Sequence, residues 1–281
     1  MKATPLLELR QVSYSYDRVR PALQDVSAAI CPGERIVVLG NNGAGKSTFF
    51  LCCNGILRPQ KGTVYLEGKA ITYQKQQLMG LREAVGLVFQ DPDDQILAST
   101  VEAEISFGPM NLGLDVPQVG RRVEEALDAM DLQEHRARPP HYLSGGEKKR
   151  VTIADILAMK PQLILFDEPT SSLDPQNTAR FQQILEELSG RGMALMVATH
   201  DIEFAYAWAQ RALIFHQGRL LADCSPREVF SNEALMEQAG LKKPILYAVS
   251  QAICAAKGVA LPDVLPKTIE EFPSFYKEMS K

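Results

Sequence analysis

The sequence has no run of about 18 apolar residues, the minimum for a helix that spans a bilayer. Its opening residues, MKATPLLELR, lack the apolar core of a signal peptide. No segment is therefore expected to cross a membrane, and any membrane association is expected to run through a partner or a surface contact. The five cysteines are odd in number and show no CxxC spacing, which argues against a zinc site and a disulfide framework and for a reducing cytosol. Cys52 and Cys53 are adjacent, so on a helix they project about 100° apart, a placement suited to packing. Excess positive charge is also lacking. The 30 Lys and Arg against 34 Asp and Glu leave a net charge of −4, which gives no support to a nucleic-acid partner bound through a basic surface. Internal repeats and low-complexity segments are not evident.

What is present is an ordinary globular composition, 46% hydrophobic and 23% charged over 281 residues, enough chain to bury a core without disulfides. Four short apolar runs, RIVVLG (35–40), VGLVFQ (85–90), LILFDE (163–168) and ALMVATH (194–200), are apolar throughout rather than alternating, as strands buried on both faces are. Helical patterns such as KSTFFLCCNGIL and TARFQQILEELSG follow or separate them, so the class is α/β with a parallel-sheet core. LLELRQVSYSY, ALQDVSAAICPGER and GTVYLEGKAIT (62–72) alternate instead, predicting a flanking antiparallel β-layer with a hairpin. Residues of about 91–160 read as an inserted helical subdomain, with Val119, Val123, Ala126, Leu127 and Met130 on one helix face. The main domain is expected over 1–230 and a small C-terminal extension over 231–281, where Ile245, Leu246, Val249 and Ile253 fall at helical spacing.

The apolar strands end in polar or glycine residues, and ligands of open α/β sheets bind at carboxyl ends of strands. After the first run, Gly40, Asn41, Asn42, Gly43, Ala44, Gly45, Lys46 and Ser47, followed by Thr48, fit the phosphate-binding pattern GxxxxGK[ST] between a strand and a helix. There the backbone N–H groups surround phosphate oxygens, Lys46 reaches the terminal phosphates and Ser47 can coordinate magnesium. Asp167, ending an apolar strand, is suited to hold magnesium, and Glu168 to orient or deprotonate an attacking water. Gln90 is placed to contact magnesium or water, and His200 to sense or stabilise the γ-phosphate. Tyr16 is a candidate to stack on adenine, with Tyr14 competing for that place. Trp208, in FAYAWAQRALIF, is expected in the core. His135, His141 and His216 have no comparable context and are given no role.

These motifs, with LSGGEKKR (143–150) about twenty residues before LILFDE, resemble those of the ATP-binding subunits of ABC transporters over residues 5–230. The pieces stand in the family's order: Tyr16 as A-loop, residues 40–48 as Walker A, Gln90 as Q-loop, residues 143–147 as signature, residues 163–168 as Walker B, residues 171–174 as D-loop and His200 as switch histidine. One departure is Glu147, where many members carry glutamine. The resemblance implies a P-loop ATPase using ATP and Mg2+. It also implies that Ser144, Gly145 and Gly146 close over the γ-phosphate held by a second ATPase subunit, with a homodimer expected.

Residues 85–114, the signature helix and the tail LPKTIEEF are similar to the ATPases of energy-coupling-factor importers, cobalt or nickel branch. On that resemblance the cargo is cobalt first, nickel second and a vitamin such as biotin third. The partners are integral membrane transporter subunits and a substrate-binding membrane component, with no nucleic acid. The place is the cytoplasmic face of the cell membrane, held peripherally. DPDDQILAST, after Gln90, is where that family docks its membrane partner, although Asp91, Asp93 and Asp94 read equally well as a solvated acidic loop. Soluble DNA-repair or translation ATPases of the family are disfavoured: residues 46–144 hold no sustained heptads and only one P-loop occurs.

Overall fold

The computed structural model describes residues 4–17, 20–171 and 173–279 of the chain. The chain begins with β1 (Leu7–Ser15), β2 (Pro21–Ile30) and β3 (Arg35–Leu39), then α1 (Lys46–Cys53), the hairpin β4 (Lys61–Leu66) and β5 (Lys69–Ala70), α2 (Lys75–Ala84) and β6 (Val85–Val88). Three helices follow, α3 (Val101–Asn111), α4 (Val116–Ala129) and α5 (Gly145–Ala158). The alternation then resumes with β7 (Leu163–Asp167), α6 (Pro175–Gly190), β8 (Ala194–Ala198), α7 (Ile202–Trp208), β9 (Arg211–His216) and β10 (Arg219–Cys224). The tail adds α8 (Pro226–Ser231), α9 (Glu233–Ala239), α10 (Ile245–Lys257) and α11 (Phe272–Glu278).

Two sheets form, one of order β2-β1-β4-β5 and a six-stranded one of order β10-β9-β3-β8-β7-β6. The first is antiparallel throughout, as its alternating strands predict. In the second, β6, β7, β8, β3 and β9 run parallel. Their continuous apolar runs have a direct cause. Val37, Leu39, Ile164, Phe166, Leu195 and Val197 enter one core, while Ile36, Val38, Leu163, Leu165, Met196 and Ala198 enter the other. A strand wetted on neither face has no position for a polar side chain until it ends.

Two features add to the expectations. FAYAWAQRALIF holds two elements. It is α7, a break at Ala209 and Gln210, and then β9, a fifth parallel strand paired with β3. Trp208 does enter the core, 5% exposed and stacked on Phe204 with ring centroids 5.3 Å apart. On α10 the buried face is not the aliphatic one: Ile245 is 67% exposed, whereas Tyr247, Ser250 and Cys254 are buried. Tyr247 meets Tyr206 edge-on at 6.1 Å and Phe230 at 6.5 Å, and an aromatic ring buries more area than an isoleucine. Ser250 satisfies itself by donating to Leu246 O at 2.7 Å. On α4, Val123, Ala126 and Leu127 are buried as expected, with Met130 just beyond and Val119 half-buried. Burial also pushes the Cys52 thiol up to about 12 and raises Cys53 further, which fits two packing cysteines.

Candidate functional site

Because β3, β6, β7 and β8 are parallel neighbours, their carboxyl ends open on one edge. Leaving β3, the chain turns through Gly40, Gly43 and Gly45, all at positive φ. At Gly40 the requirement is also steric: a Cβ there would lie 2.3 Å from the backbone oxygen of Phe215. Asn41, Asn42 and Gly43 stay exposed at the loop's crest, and Ala44 anchors it in the core. Helix α1 then starts with no side-chain cap and no acidic residue in its first turn, so its first N–H groups are open to an anion. Lys46, 6% exposed, folds back so that Nζ donates to Gly40 O at 2.7 Å and lies 3.5 Å from Asn41 O. Thr48 is buried behind the loop, and its Oγ1 is 3.3 Å from Tyr16 Oη. The Tyr16 ring is 63% exposed, whereas Tyr14 packs against the core and braces Tyr16 edge-on at 5.0 Å. Tyr16 is thus the ring offered beside the phosphate loop.

At the end of β7, Asp167 is buried and its Oδ1 has no protein partner. Burial raises its carboxyl above the ordinary aspartate value, opposed chiefly by the Ser47 hydroxyl. A buried carboxylate with Oδ1 unpartnered, beside a hydroxyl, is the donor set a divalent cation takes, so magnesium fits at Asp167 and Ser47. Glu168 follows at φ 42, a conformation uncommon outside glycine and concentrated at functional sites. It is held there by its N–H donating to Ala198 O at 2.9 Å. The turn aims Glu168 away from Asp167. Its Oε2 is 2.8 Å from His200 Nδ1, and its Oε1 is 3.5 Å from Lys46 Nζ. The exposed imidazole of His200 thus shares one carboxylate with the buried ammonium.

Gln90, beyond β6, donates from Nε2 to Ser171 Oγ at 3.3 Å, leaving its amide oxygen as the end for a cation. Of residues 171–174, Ser172 lies outside the described residues, and Asp174 caps α6 by accepting from Asn177 N at 2.8 Å. Beneath Gln90 lies a residue that the sequence reading passed over. Lys149, 2% exposed, donates to Phe89 O at 2.9 Å and Gln90 O at 2.8 Å, and burial lowers its ammonium to about 8. It shares the core face of α5 with Thr152, Ile153 and Ile156, all buried, so helical spacing carried its signal. Gly240, Leu241 and Lys242 of the tail also border the site, lining with Gly40, Asn41, Asn42 and His200 a cavity of about 480 Å³. They lie some 200 residues from the loop in sequence, and no local pattern announces them.

Ser144, Gly145 and Gly146 do not join this cluster. Ser144 caps α5, and its bonds go to Glu147 rather than to residues 40–48. Gly146 is packed against Asn177, whose Oδ1 would lie 2.1 Å from a Cβ there. Glu147 in turn reaches His135, with Nε2 to Oε1 3.0 Å apart, a histidine without any sequence signal.

A second cavity, about 810 Å³, opens between α2 and β6 on one side and α3 and α5 on the other. Its rim carries Leu97 at 81% and Phe107 at 57% exposure. Of residues 91–97, Gln95 and Leu97 line its edge, while Asp91, Asp93 and Asp94 stay exposed, with Lys148 Nζ donating to Asp93 at 2.7 and 3.0 Å. Asp155 lies in the wall, where burial, reinforced by Glu104, pushes its carboxyl up to about 7 from 3.8. A carboxyl whose folded pKa exceeds its unfolded one weakens the fold above the folded value, and that cost is relieved as pH falls toward 3.8. Asp155→Asn is therefore expected to raise the thermal midpoint at pH 8, with the gain shrinking at pH 5.5. Equal midpoints at pH 8 would contradict the buried-acid assignment.

Residues 23–171 match the ABC transporter family. The energy-coupling factor transporter ATP-binding protein EcfA2 of Methanospirillum hungatei is 45% identical over 265 residues, covering 94% of this chain and 66% of that protein. This chain thus spans about two thirds of that relative's length. The cobalt import ATP-binding protein CbiO of Rhodobacter capsulatus is 43% identical over 265 residues, covering 94% of this chain and 95% of the relative. Among solved structures, cbiO1 of Clostridium perfringens, part of the ABC transporter complex cbiONQ, aligns with a TM-score of 0.74 and 34% identity over 88% of this chain and 99% of the other.

Proposed function

Because this chain belongs to the ABC transporter family of ATP-binding proteins and is an ATP hydrolase on a P-loop α/β fold, we propose that it is the ATPase subunit of a membrane importer of the energy-coupling-factor class, with cobalt as cargo. The observation that carries this reading is the apolar groove beside Gln90. Its exposed Leu97 and Phe107 present a surface that a helix of an integral membrane partner would cover. The groove's edge runs directly from the strand end that carries Gln90, so a partner seated there feels the nucleotide site. Among the described residues no helix is long and apolar enough to cross a membrane, which suits a peripheral subunit at the cytoplasmic face. Nickel and a biotin-like vitamin are the competing cargoes, and cobalt leads on the likeness to the cobalt import protein.

In the proposed reaction, the N–H groups of residues 40–48 and Lys46 Nζ bind the β- and γ-phosphates, and Tyr16 stacks on the base. Glu168 accepts a proton from the attacking water as the water approaches the γ-phosphate, and His200, tied to the same carboxylate, fixes its direction and donates toward the phosphoryl group. Bound magnesium, held by Ser47, Asp167 and Gln90, would supply positive charge to the phosphate oxygens. Ser144, Gly145 and Gly146 lie outside this cluster because they complete the site of a second copy, so ATP joins two subunits and its hydrolysis releases them. The test is co-expression with membrane subunits followed by vesicle uptake of labelled cobalt, nickel and biotin. ATP-dependent cobalt uptake that ceases with Leu97→Asp supports the reading. Uptake of nickel or biotin alone replaces the cargo, and an ATPase that binds no membrane subunit ends the importer assignment.

A further inference from the structure

We infer that Lys149 is a positioning residue that joins the two nucleotide sites of the ATP-bound pair. It fastens helix α5, whose Ser144 serves the nucleotide of a second copy, to the strand end whose Gln90 serves this copy's own. This role rests on the function proposed above, which assigns Gln90 to the magnesium side of one site and Ser144 to the phosphate side of the other, and it adds the residue that links them.

β6 ends at Val88, so the carbonyls of Phe89 and Gln90 lie beyond its last ladder pair, Val88 with Phe166. Carbonyls outside a ladder are satisfied by water or by another donor. These two share one ammonium: Lys149 Nζ donates to Phe89 O at 2.9 Å and to Gln90 O at 2.8 Å. Lys149 is 2% exposed, and a lysine is almost never buried so fully unless its ammonium is well bonded. An apolar residue would seal α5 against the core as Val151, Ile153 and Ala154 do, but it would leave the strand end unheld. The N–H side of that strand end is tied to the same helix. Gln95 Oε1 accepts from Phe89 N at 3.2 Å, and Gln95 Nε2 donates to Thr152 O at 3.3 Å and Asp155 Oδ2 at 3.4 Å. Below these bonds the helix rests on β6 without a gap, since a Cβ at Gly86 would lie 2.2 Å from Ile156 Cγ2. Both backbone polar groups of Phe89 are thus claimed by residues 149–155 of α5, and strand end and helix form one body.

The two ends of this body face different nucleotides. Ser144 is the N-cap of α5, five residues before Lys149, which is about 7.5 Å along a helix. At the other end the Gln90 amide oxygen is the one left for a cation, because its Nε2 donates to Ser171 Oγ. Lys148 adds a tie from α5 to Asp93, but the Asp93 side chain is exposed and water screens that pair. The buried tie is the one through Lys149. Gln90, on engaging its own site, therefore carries Ser144 with it toward the γ-phosphate of the second copy. By linkage, capture of Ser144 by that phosphate sets Gln90 in place, so nucleotide in either site favours nucleotide in the other.

The experiment measures ATP-dependent dimerisation by sedimentation in chains carrying Glu168→Gln to block turnover, with ATP and magnesium saturating so that occupancy does not limit assembly. Gln90→Ala is expected to weaken the dimer roughly ten-fold when Lys149 is intact, within the usual range of coupling between sites. In Lys149→Met, where the strand end is no longer fastened, the same Gln90→Ala change should cost less than about two-fold. A lysine that merely packs α5 would leave the Gln90→Ala factor equal in the two backgrounds, and that result overturns the inference. A dimer that Gln90→Ala leaves unchanged in the intact chain also overturns it, since there is then no link to carry. Should Lys149→Met fail to fold, Lys149→Gln, too short to span both carbonyls, serves in its place: a reduced factor supports the role and an undiminished one overturns it. Ser144→Ala separates the two levels. If it leaves the dimer intact, the role of Ser144 itself falls. If it weakens the dimer while the Gln90→Ala factor ignores Lys149, only the role of Lys149 falls.

Discussion

Glu168→Gln is expected to reduce ATP turnover by about 10²–10⁴-fold, the range lost with a positioned general base, while ATP binding persists and the nucleotide-joined dimer accumulates. The geometry separates these effects. Glu168 is not on the phosphate-binding loop; it enters from the end of β7 at φ 42 and touches Lys46 only across 3.5 Å. Glutamine is close to it in shape and can keep one contact to His200 Nδ1, now 2.8 Å from Oε2, but it has no carboxylate to take the water's proton. The loop N–H groups and the Lys46 ammonium are untouched, so affinity for ATP should change by less than about three-fold. Single-turnover hydrolysis and sedimentation with ATP check the two halves. Wild-type turnover in the variant, with no ATP-dependent dimer, would remove Glu168 from the reaction. His200→Ala should fall in the same direction by a smaller factor, since it leaves the base in place.

The contrast between these residues and Gly240, Leu241 and Lys242 shows which parts of the site a linear reading can reach. Residues 40–48 lie on one turn, and their chemistry is set by spacing that the sequence prints directly. Asp167 is also accessible because strands buried on both faces are uniformly apolar, so the first polar residue marks where the strand leaves the core, and His200 follows one residue beyond the buried Thr199. Gln90 follows by the same rule. β9 escaped because its four apolar residues sit just after a short helix of similar composition, and periodicity over so short a run does not separate strand from helix. On α10 the helical spacing of aliphatic residues does not announce that Tyr247, packed beside Tyr206 and Phe230, is the buried ring, because that packing is set by residues outside the helix. The tail residues Gly240, Leu241 and Lys242 owe their places to contacts between segments far apart in the chain, which composition and spacing do not encode.

Lys46→Ala should act on binding where Glu168→Gln acts on turnover. The Lys46 ammonium is buried against Gly40 O at 2.7 Å with Glu168 Oε1 at 3.5 Å, and it helps hold down the raised carboxyl of Asp167. Truncation removes a charged donor to the phosphates, worth about 1.5–3 kcal/mol. It also leaves two acids without their cation in a site that must admit a polyanion. The expected result is a loss of roughly 10²-fold or more in ATP affinity, about 2.7 kcal/mol. Lys46→Arg should not restore it, because a planar guanidinium cannot fold into a cradle closed over Gly40 O. Ligand-induced stabilisation gives the readout: ATP at a fixed concentration should raise the thermal midpoint of the wild-type chain and of Glu168→Gln, but not of Lys46→Ala. A preserved shift in Lys46→Ala would mean that the backbone N–H groups of the loop suffice, and the ammonium would then be assigned to charge balance with Asp167 and Glu168 instead.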